Sequence, residues 1–356
     1  MKKYFILAAS AVAVLSSCSN EEISEVSVVP ETSKKAIEIS AYTPGLTRFD
    51  AVEAALRNLA AGSDINPEGA GFYLTAKYTA DAKYETLMDG VHFYADTLES
   101  SQGKCTIDEN EDEKMFYWPG QTVDFYAYHA GVHNTEGNEP CVLSVDAADD
   151  AKLIINIQNN DDDQPEVEND IMVAYKQASD GVVALDFKHV MAQVKIIVNY
   201  DSVYKAVNNA DFYLLNLSLE APLGSEYNFG DGTITASEEN REYVFFEGYV
   251  SMFSTWVEDH DQTGTVIGGH ANPYANLKGT AMIPAASAGS TCSLNVKYLV
   301  QINGTEKTYE KSNDAVTIKA GYLNLITVTV KGDNPISVSA TVQEWPETVQ
   351  ESNVSL

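Results

Sequence analysis

The chain has 356 residues, with 52 Asp and Glu against 22 Lys and Arg, a formal net charge of −30. So acidic a surface repels phosphate backbones and anionic lipid, which excludes nucleic acid as a partner and favours solubility. With 20 Tyr and 12 Phe, and β-branched residues filling the ordered-looking stretches, the composition also excludes a wholly disordered chain.

Lys2 and Lys3 open the chain, an apolar run follows from Tyr4 to Leu15, and Ser16 and Ser17 lead into Cys18. The run is too short to span a bilayer as a helix, so it reads as an export signal. Leu15-Ser16-Ser17-Cys18 resembles a bacterial lipobox, in which the signal is cut before the cysteine and the sulfur is acylated. That makes residues 1–17 a signal peptide and Cys18 the lipidation site; an ordinary secretory signal with an incidental cysteine is the alternative. Residues 18–35 are polar and without periodicity, as in a tether. What remains suits two domains.

The first predicted strand is Ala36–Tyr42, stopped by Pro44-Gly45. Thr47-Arg48 follows, then one short helix over Phe49 to Ala61, with Ala51, Ala54, Ala55, Leu56 and Leu59 on its apolar face. From there the pattern is strand after strand: Gly71–Tyr78, Val91–Thr97, Lys114–Trp118, Val123–His129, Lys152–Ile157 and Asp170–Lys176. With Ala36–Tyr42 these suffice for one β-sandwich over residues 36–178. Ser179-Asp180-Gly181 reads as a hinge. A second series predicts another sandwich over residues 181–356: Val183–Tyr200, Phe212–Leu219, Tyr243–Phe246, Gly279–Ile283, Cys292–Val300, Lys307–Lys311, Tyr322–Val330 and Ile336–Val342. In the last of these, Ile336, Val338, Ala340 and Val342 alternate with polar residues, as in a half-buried antiparallel strand. The expected fold is mainly β, two consecutive β-sandwiches with one short helix near the N-terminus.

Motifs of catalysis are missing from the sequence. Neither acid run, Asp108 to Glu113 or Asp161 to Asp170, has the Gly and terminal Glu of an EF-hand loop, so both read as solvated loops. His129 and His133 are spaced like ligands on a helix, but His129 ends a predicted strand and no HExxH occurs. His189 reads as a structural, hydrogen-bonded histidine. No nucleophile elbow, P-loop or dinucleotide fingerprint is present, and nothing singles out a pair of carboxylates. We therefore expect no enzyme activity, no cofactor and no metal. Besides Cys18 there are Cys105, Cys141 and Cys292, an odd number without CxxC spacing. A Cys105–Cys141 disulfide and free buried thiols both remain open. Asp96-Thr97-Leu98 and Asp201-Ser202-Val203 resemble bacterial O-glycosylation acceptors.

Several segments, in order, resemble the fimbrillin-like lipoproteins, the subunits of type V pili (major fimbrillin and Mfa-like proteins). They are Met115-Phe116-Tyr117-Trp118-Pro119 running into Val123 to Tyr128, then Asp170-Ile171-Met172-Val173-Ala174. Phe187-Lys188-His189-Val190-Met191-Ala192-Gln193-Val194 follows, and then Ile283-Pro284, Ala320-Gly321-Tyr322 and Trp345. The resemblance covers residues 36–346 and implies transthyretin-like Greek-key sandwiches. It also implies a lipidated precursor at the outer membrane, cut after an arginine by an arginine-specific protease. The cut removes the first strand, and a neighbouring pilus subunit fills the groove by donor-strand exchange. Carried onto this chain, Arg48 is the processing site and Ile37, Ile39 and Ala41 are the inward side chains of the removable strand. Ile336, Val338, Ala340 and Val342 form the candidate donor strand; the alternative is that they belong to the last strand of their own domain. About twenty residues of helical character after Arg48 depart from the family pattern and suit a tip or accessory subunit with an adhesive role. A function of another class is a monomeric surface lipoprotein binding a glycan or host ligand, with exposed aromatics such as Trp256 or Tyr274 as its sign.

Overall fold

The computed structural model describes residues 35–42, 71–80, 83–95, 102–107, 115–130, 141–147, 150–157, 170–252, 264–267, 280–330, 332 and 336–344. The expected helix over Phe49 to Ala61, the first acid run, residues 161–169 of the second, Cys18 and Arg48 lie outside the described residues.

Strands dominate throughout. The first eight are β1 (Glu38–Tyr42), β2 (Phe72–Ala80), β3 (Lys83–Ala95), β4 (Gln102–Ile107), β5 (Val123–His129), β6 (Cys141–Val145), β7 (Ala151–Asn156) and β8 (Met172–Ala178). Next come β9 (Val182–Asp186), β10 (Lys188–His189), β11 (Ala192–Tyr200), a short helix α1 (Ser202–Asn208), β12 (Ala210–Pro222), β13 (Gly224–Asn228) and β14 (Ile234–Ala236). The series closes with β15 (Asn240–Ser251), β16 (Gly264–Ile267), β17 (Thr280–Ile283), β18 (Ser290–Ile302), β19 (Thr305–Ile318), β20 (Tyr322–Val330) and β21 (Ser337–Glu344). The mainly β expectation holds, and the strands assemble into four sheets.

An eight-stranded sheet runs β10-β8-β5-β2-β3-β4-β1-β9. A second sheet runs β16-β11-β20-β21, with β17 also on β11; a third runs β15-β12-β18-β19 and a fourth β14-β13-β7-β6. Pairing crosses the Ser179-Asp180-Gly181 turn in three places, where β1 lies parallel to β9, β8 antiparallel to β10 and β7 antiparallel to β13.

Two hydrophobic cores meet on opposite faces of β5. Phe125 and Ala127 belong to one core, with β1, β2 and β9, whereas Tyr126 between them belongs to the other, with β11, β12 and β18. Successive side chains of a strand point to opposite faces, so a strand covered on both reads as a nearly continuous apolar run. Val123-Asp124-Phe125-Tyr126-Ala127-Tyr128-His129 is such a run, and Ile171 to Ala174 leading into β8 is another.

The expected strand Val183–Tyr200 is broken into three. Val183 and Leu185 of β9 and then Phe187 fill the first core, while Val190, Met191 and Ala192 fill the second. The chain changes core between Phe187 and Val190, and its ladder partners change with it, from β1 for β9 to β8 for β10 and then to β16, β17 and β20 for β11. Of the segment Lys114–Trp118, expected as a strand, the described residues 115–118 form no strand and contribute a bridge between Tyr117 and Ala36. α1 was not expected: none of its residues is buried, so it has no apolar stripe to read. Its signal is the cap, where the Asp201 side chain accepts hydrogen bonds from the backbone N–H groups of Val203 and Tyr204.

Candidate functional site

The first strand is not an edge. β1 lies between β4, antiparallel, and β9, parallel. Ile39 faces Cys105 on one side and Val183 on the other, and Ala41 faces Gly103 and Leu185. Ile39 and Ala41 are buried, within a core that includes Phe72, Leu74, Phe93, Val183, Leu185 and Phe187; Ile37 packs against it half-buried. The ladder is extended by the Ile37 backbone N–H, which donates to the Phe116 carbonyl at 2.9 Å. The alternation Ile37-Glu38-Ile39-Ser40-Ala41 thus delivers its apolar side chains to one interior face. In the hydrogen-bond order β9 has β1 as its only ladder partner among the described residues. Sequence reasoning found β1 but missed β4, one of the two strands that grip it. Gln102-Gly103-Lys104-Cys105-Thr106-Ile107 has only two apolar side chains, and their alternation is its one legible signal.

Near the other end of the chain, β21 has β20 as its only ladder partner among the described residues. Ile336 is buried and Val338 half-buried against the second core, whereas Ala340 is exposed and Val342 is 43% exposed. The apolar row Ile336, Val338, Ala340, Val342 therefore starts in the core and runs out into solvent. The approach to β21 is held by two side chains of β19. Tyr309 donates its hydroxyl to the Gly332 carbonyl at 2.5 Å, and Lys311 donates to the Ile336 carbonyl at 2.9 Å.

The remaining candidate residues have structural roles. His129 is fully buried; its Nδ1 donates to the Gly71 carbonyl at 2.7 Å, and Nε2 has no hydrogen-bond partner. Burial holds its pKa below the ordinary histidine value; the Gly71 hydrogen bond and Asp170 oppose that shift, and His92 and His189 add to it. His189 Nδ1 lies 2.7 Å from Asp170 Oδ2, a hydrogen-bonded contact that fastens β10 beside the start of β8. Among the described residues no group of three or more His, Cys, Asp or Glu side chains is placed to hold a metal ion. His133, Asp96-Thr97-Leu98, Trp256 and Tyr274 lie outside the described residues. Cys105, Cys141 and Cys292 are buried, and no disulfide joins them to one another. Burial raises the Cys141 thiol and pushes Cys292 up to about 12. Among the described residues the chemistry-bearing groups thus stay dispersed, and what is built with care is the grip on β1.

A mainly β protein of several sheets, with its N-terminal strand locked into the interior, is the class these observations define. The profile of the fimbrillin-like family matches residues 61–345, and the chain belongs to that family. No curated protein sequence matches it. Among solved structures it is similar to a candidate cell adhesion protein from Bacteroides uniformis, with 16% identity and a TM-score of 0.47, over 89% of this chain and 99% of that one. A candidate cell adhesion protein from Parabacteroides distasonis has 9% identity and a TM-score of 0.49, over 89% and 98% of the two chains. A fimbrial assembly protein from the same species has 9% identity and a TM-score of 0.41, over 87% and 99%.

Proposed function

We propose that this chain is a structural subunit of a cell-surface fimbria, delivered as a lipoprotein, cut after Arg48 and polymerised by donor-strand exchange. In this reading residues 1–17 are removed, and lipid on Cys18 holds the chain at the bacterial outer membrane. An arginine-specific protease then severs residues 18–48, which carry β1, and a strand from a neighbouring subunit enters the slot. The roughly twenty residues after Arg48, whose sequence has helical character, favour a tip or accessory subunit with an adhesive role.

The observation that carries this reading is the position of β1, buried between β4 and β9 with Arg48 a few residues beyond its end. Loss of such a strand leaves unpaired backbone groups on both sides and an apolar trench beneath. A replacement strand regains about 1 kcal/mol net per hydrogen bond. Each buried aliphatic side chain adds about 1.5–3 kcal/mol. Together these make a durable joint without a covalent bond.

β21 suits the part of donor. Ile336-Ser337-Val338-Ser339-Ala340 repeats the spacing of Ile37-Glu38-Ile39-Ser40-Ala41: two branched aliphatics, then serine, then alanine. Ile336, Val338 and Ala340 would take the places of Ile37, Ile39 and Ala41, as strand addition requires of alternate side chains. The test is to treat the purified chain with an arginine-specific protease. The expected outcome is loss of the segment ending at Arg48 and formation of fibres by electron microscopy, neither occurring in Arg48→Ala. Fibres from Arg48→Ala as abundant as those of the unaltered chain would sink the cleavage step.

A further inference from the structure

On the solvent side of the β15-β12-β18-β19 sheet, four residues line up across all four strands. Glu247 on β15 lies opposite Asn216 on β12, Asn216 opposite Lys297 on β18, and Lys297 opposite Glu310 on β19. The row falls where the ladders lose register. Leu215 is an extra residue of β12 against β18, and Gly248 and Tyr249 intervene between Glu247 and Val250 on β15. One step along, the β18–β19 ladder slips between Leu294 and Val296. Bulges bend a strand and re-aim its side chains. Here, at one level on neighbouring strands, they coincide with a groove of about 530 Å³ lined by Asn216, Glu247, Asn295, Lys297, Glu310 and Ser312.

An aromatic pair adjoins the row. Tyr249 stacks on Tyr213 with ring centroids 4.6 Å apart and planes 23° from parallel. Tyr249 is 60% exposed, although its neighbour on the chain, Gly248, already lines the groove.

We propose that this groove binds a neutral sugar, with Tyr249 as the stacking platform and the Glu247–Asn216–Lys297–Glu310 row as the hydrogen-bonding floor. A pyranose has an apolar C–H face and a rim of hydroxyls that each donate and accept. The floor matches the rim, because carboxylates accept, the ammonium donates and the amide does both. The groove is within the size range of small-ligand sites, about 300–1,000 Å³. Its charge selects against acidic sugars: two carboxylates face one ammonium, and Lys297 already lies 3.6 Å from Glu310. The net charge of −30 adds to the repulsion. A peptide strand would need a bare sheet edge, whereas the row lies on a face.

The proposal names a ligand for the adhesive role suggested above and is independent of strand exchange. Tyr249→Ala is expected to form fibres as the unaltered chain does, so sugar binding and assembly can fail separately. The experiment is saturation-transfer NMR and calorimetry on the purified chain with lactose, mannobiose, chitobiose and L-fucose, and with 3′-sialyllactose as the acidic counterpart. The expected result is binding of at least one neutral probe, with saturation passing to its ring C–H protons. Tyr249→Ala and Glu247→Gln should each weaken it about tenfold or more. Tyr249→Leu keeps apolar bulk without a flat face and should weaken it comparably, with unchanged thermal melting showing that the fold is intact. Failure of every neutral probe up to about 10 mM, undiminished binding by Tyr249→Ala, or tighter binding of sialyllactose than of lactose would overturn the proposal.

Discussion

Ile39 and Val183 stand opposite each other in parallel register, and both side chains are buried in one core although 144 positions separate them in the chain. Truncating either leaves a cavity between strands that cannot easily close, because β1 is gripped on both sides. We predict that Ile39→Ala lowers unfolding stability by about 2–5 kcal/mol. Denaturant titration of the intact chain measures this, and Glu38→Ala, at an exposed position of the same strand, should change the midpoint little.

Asp124 is buried on β5, between β8 and β2 in the eight-stranded sheet, and accepts hydrogen bonds from the Tyr84 hydroxyl at 2.9 Å, the Tyr175 hydroxyl at 2.8 Å and Gln177 Nε2 at 2.8 Å. Tyr84 also lies 2.9 Å from the Tyr126 hydroxyl. Burial and these partners raise the pKa of both Tyr84 and Tyr175 well above the ordinary tyrosine value. Tyr175→Phe removes one donor and should cost about 1–2 kcal/mol, whereas Asp124→Ala strands several donors and should cost about 3 kcal/mol or more. A double-mutant cycle should show them coupled by at least about 0.5 kcal/mol, and strict additivity would mean the network does not act as a unit.

Acid should loosen the fold through His129. Its folded pKa is depressed by burial, with Asp170, His92 and His189 as the charged or titratable neighbours. The unfolded chain therefore binds the proton first. Stability is intact above the unfolded value of about 6.5 and is lost progressively as the pH falls below it towards the folded value. Thermal melting at pH 7.5, 6.5, 5.5 and 5.0 checks this. His129→Gln should flatten the slope in that window, and an unchanged slope would assign the acid sensitivity elsewhere.

The thiols of Cys105, Cys141 and Cys292 should be inert in the native protein. Burial that raises the Cys141 and Cys292 pKa values leaves almost no thiolate at pH 8. Iodoacetamide labelling mapped by mass spectrometry should leave all three unmodified until denaturant is added. Fast labelling of Cys105 alone would mean that β1, which covers it, opens readily.

How much of this was legible varies with what each strand buries. Val123–His129 and Tyr322–Val330 coincide with observed strands to the residue, because runs covered on one or both faces carry a strong apolar pattern. Gln102–Ile107 and Gly224–Asn228 were missed. Their few apolar side chains resemble loop composition, and tertiary pairing, not local preference, makes them strands. The interior face of β1 was legible as Ile37, Ile39 and Ala41, yet its partners were not, since parallel pairing with a segment so distant in the chain leaves no local trace. The tyrosine-flanked groove was equally hidden. Register slips on three strands create it, and alternation read one strand at a time cannot show where slips align.

The placement of β1 one strand in from the sheet margin has a consequence for valence. An ordinary margin accepts one strand and presents a fresh margin, so growth can continue sideways without limit. A gap between β4 and β9 is bounded on both sides, and neighbouring strands are spaced about 4.8 Å apart. It admits one strand and is then full. On the cleavage proposed above, a chain offering one such gap and β21 as its one donor would take a single partner at each end, which would confine growth to a line.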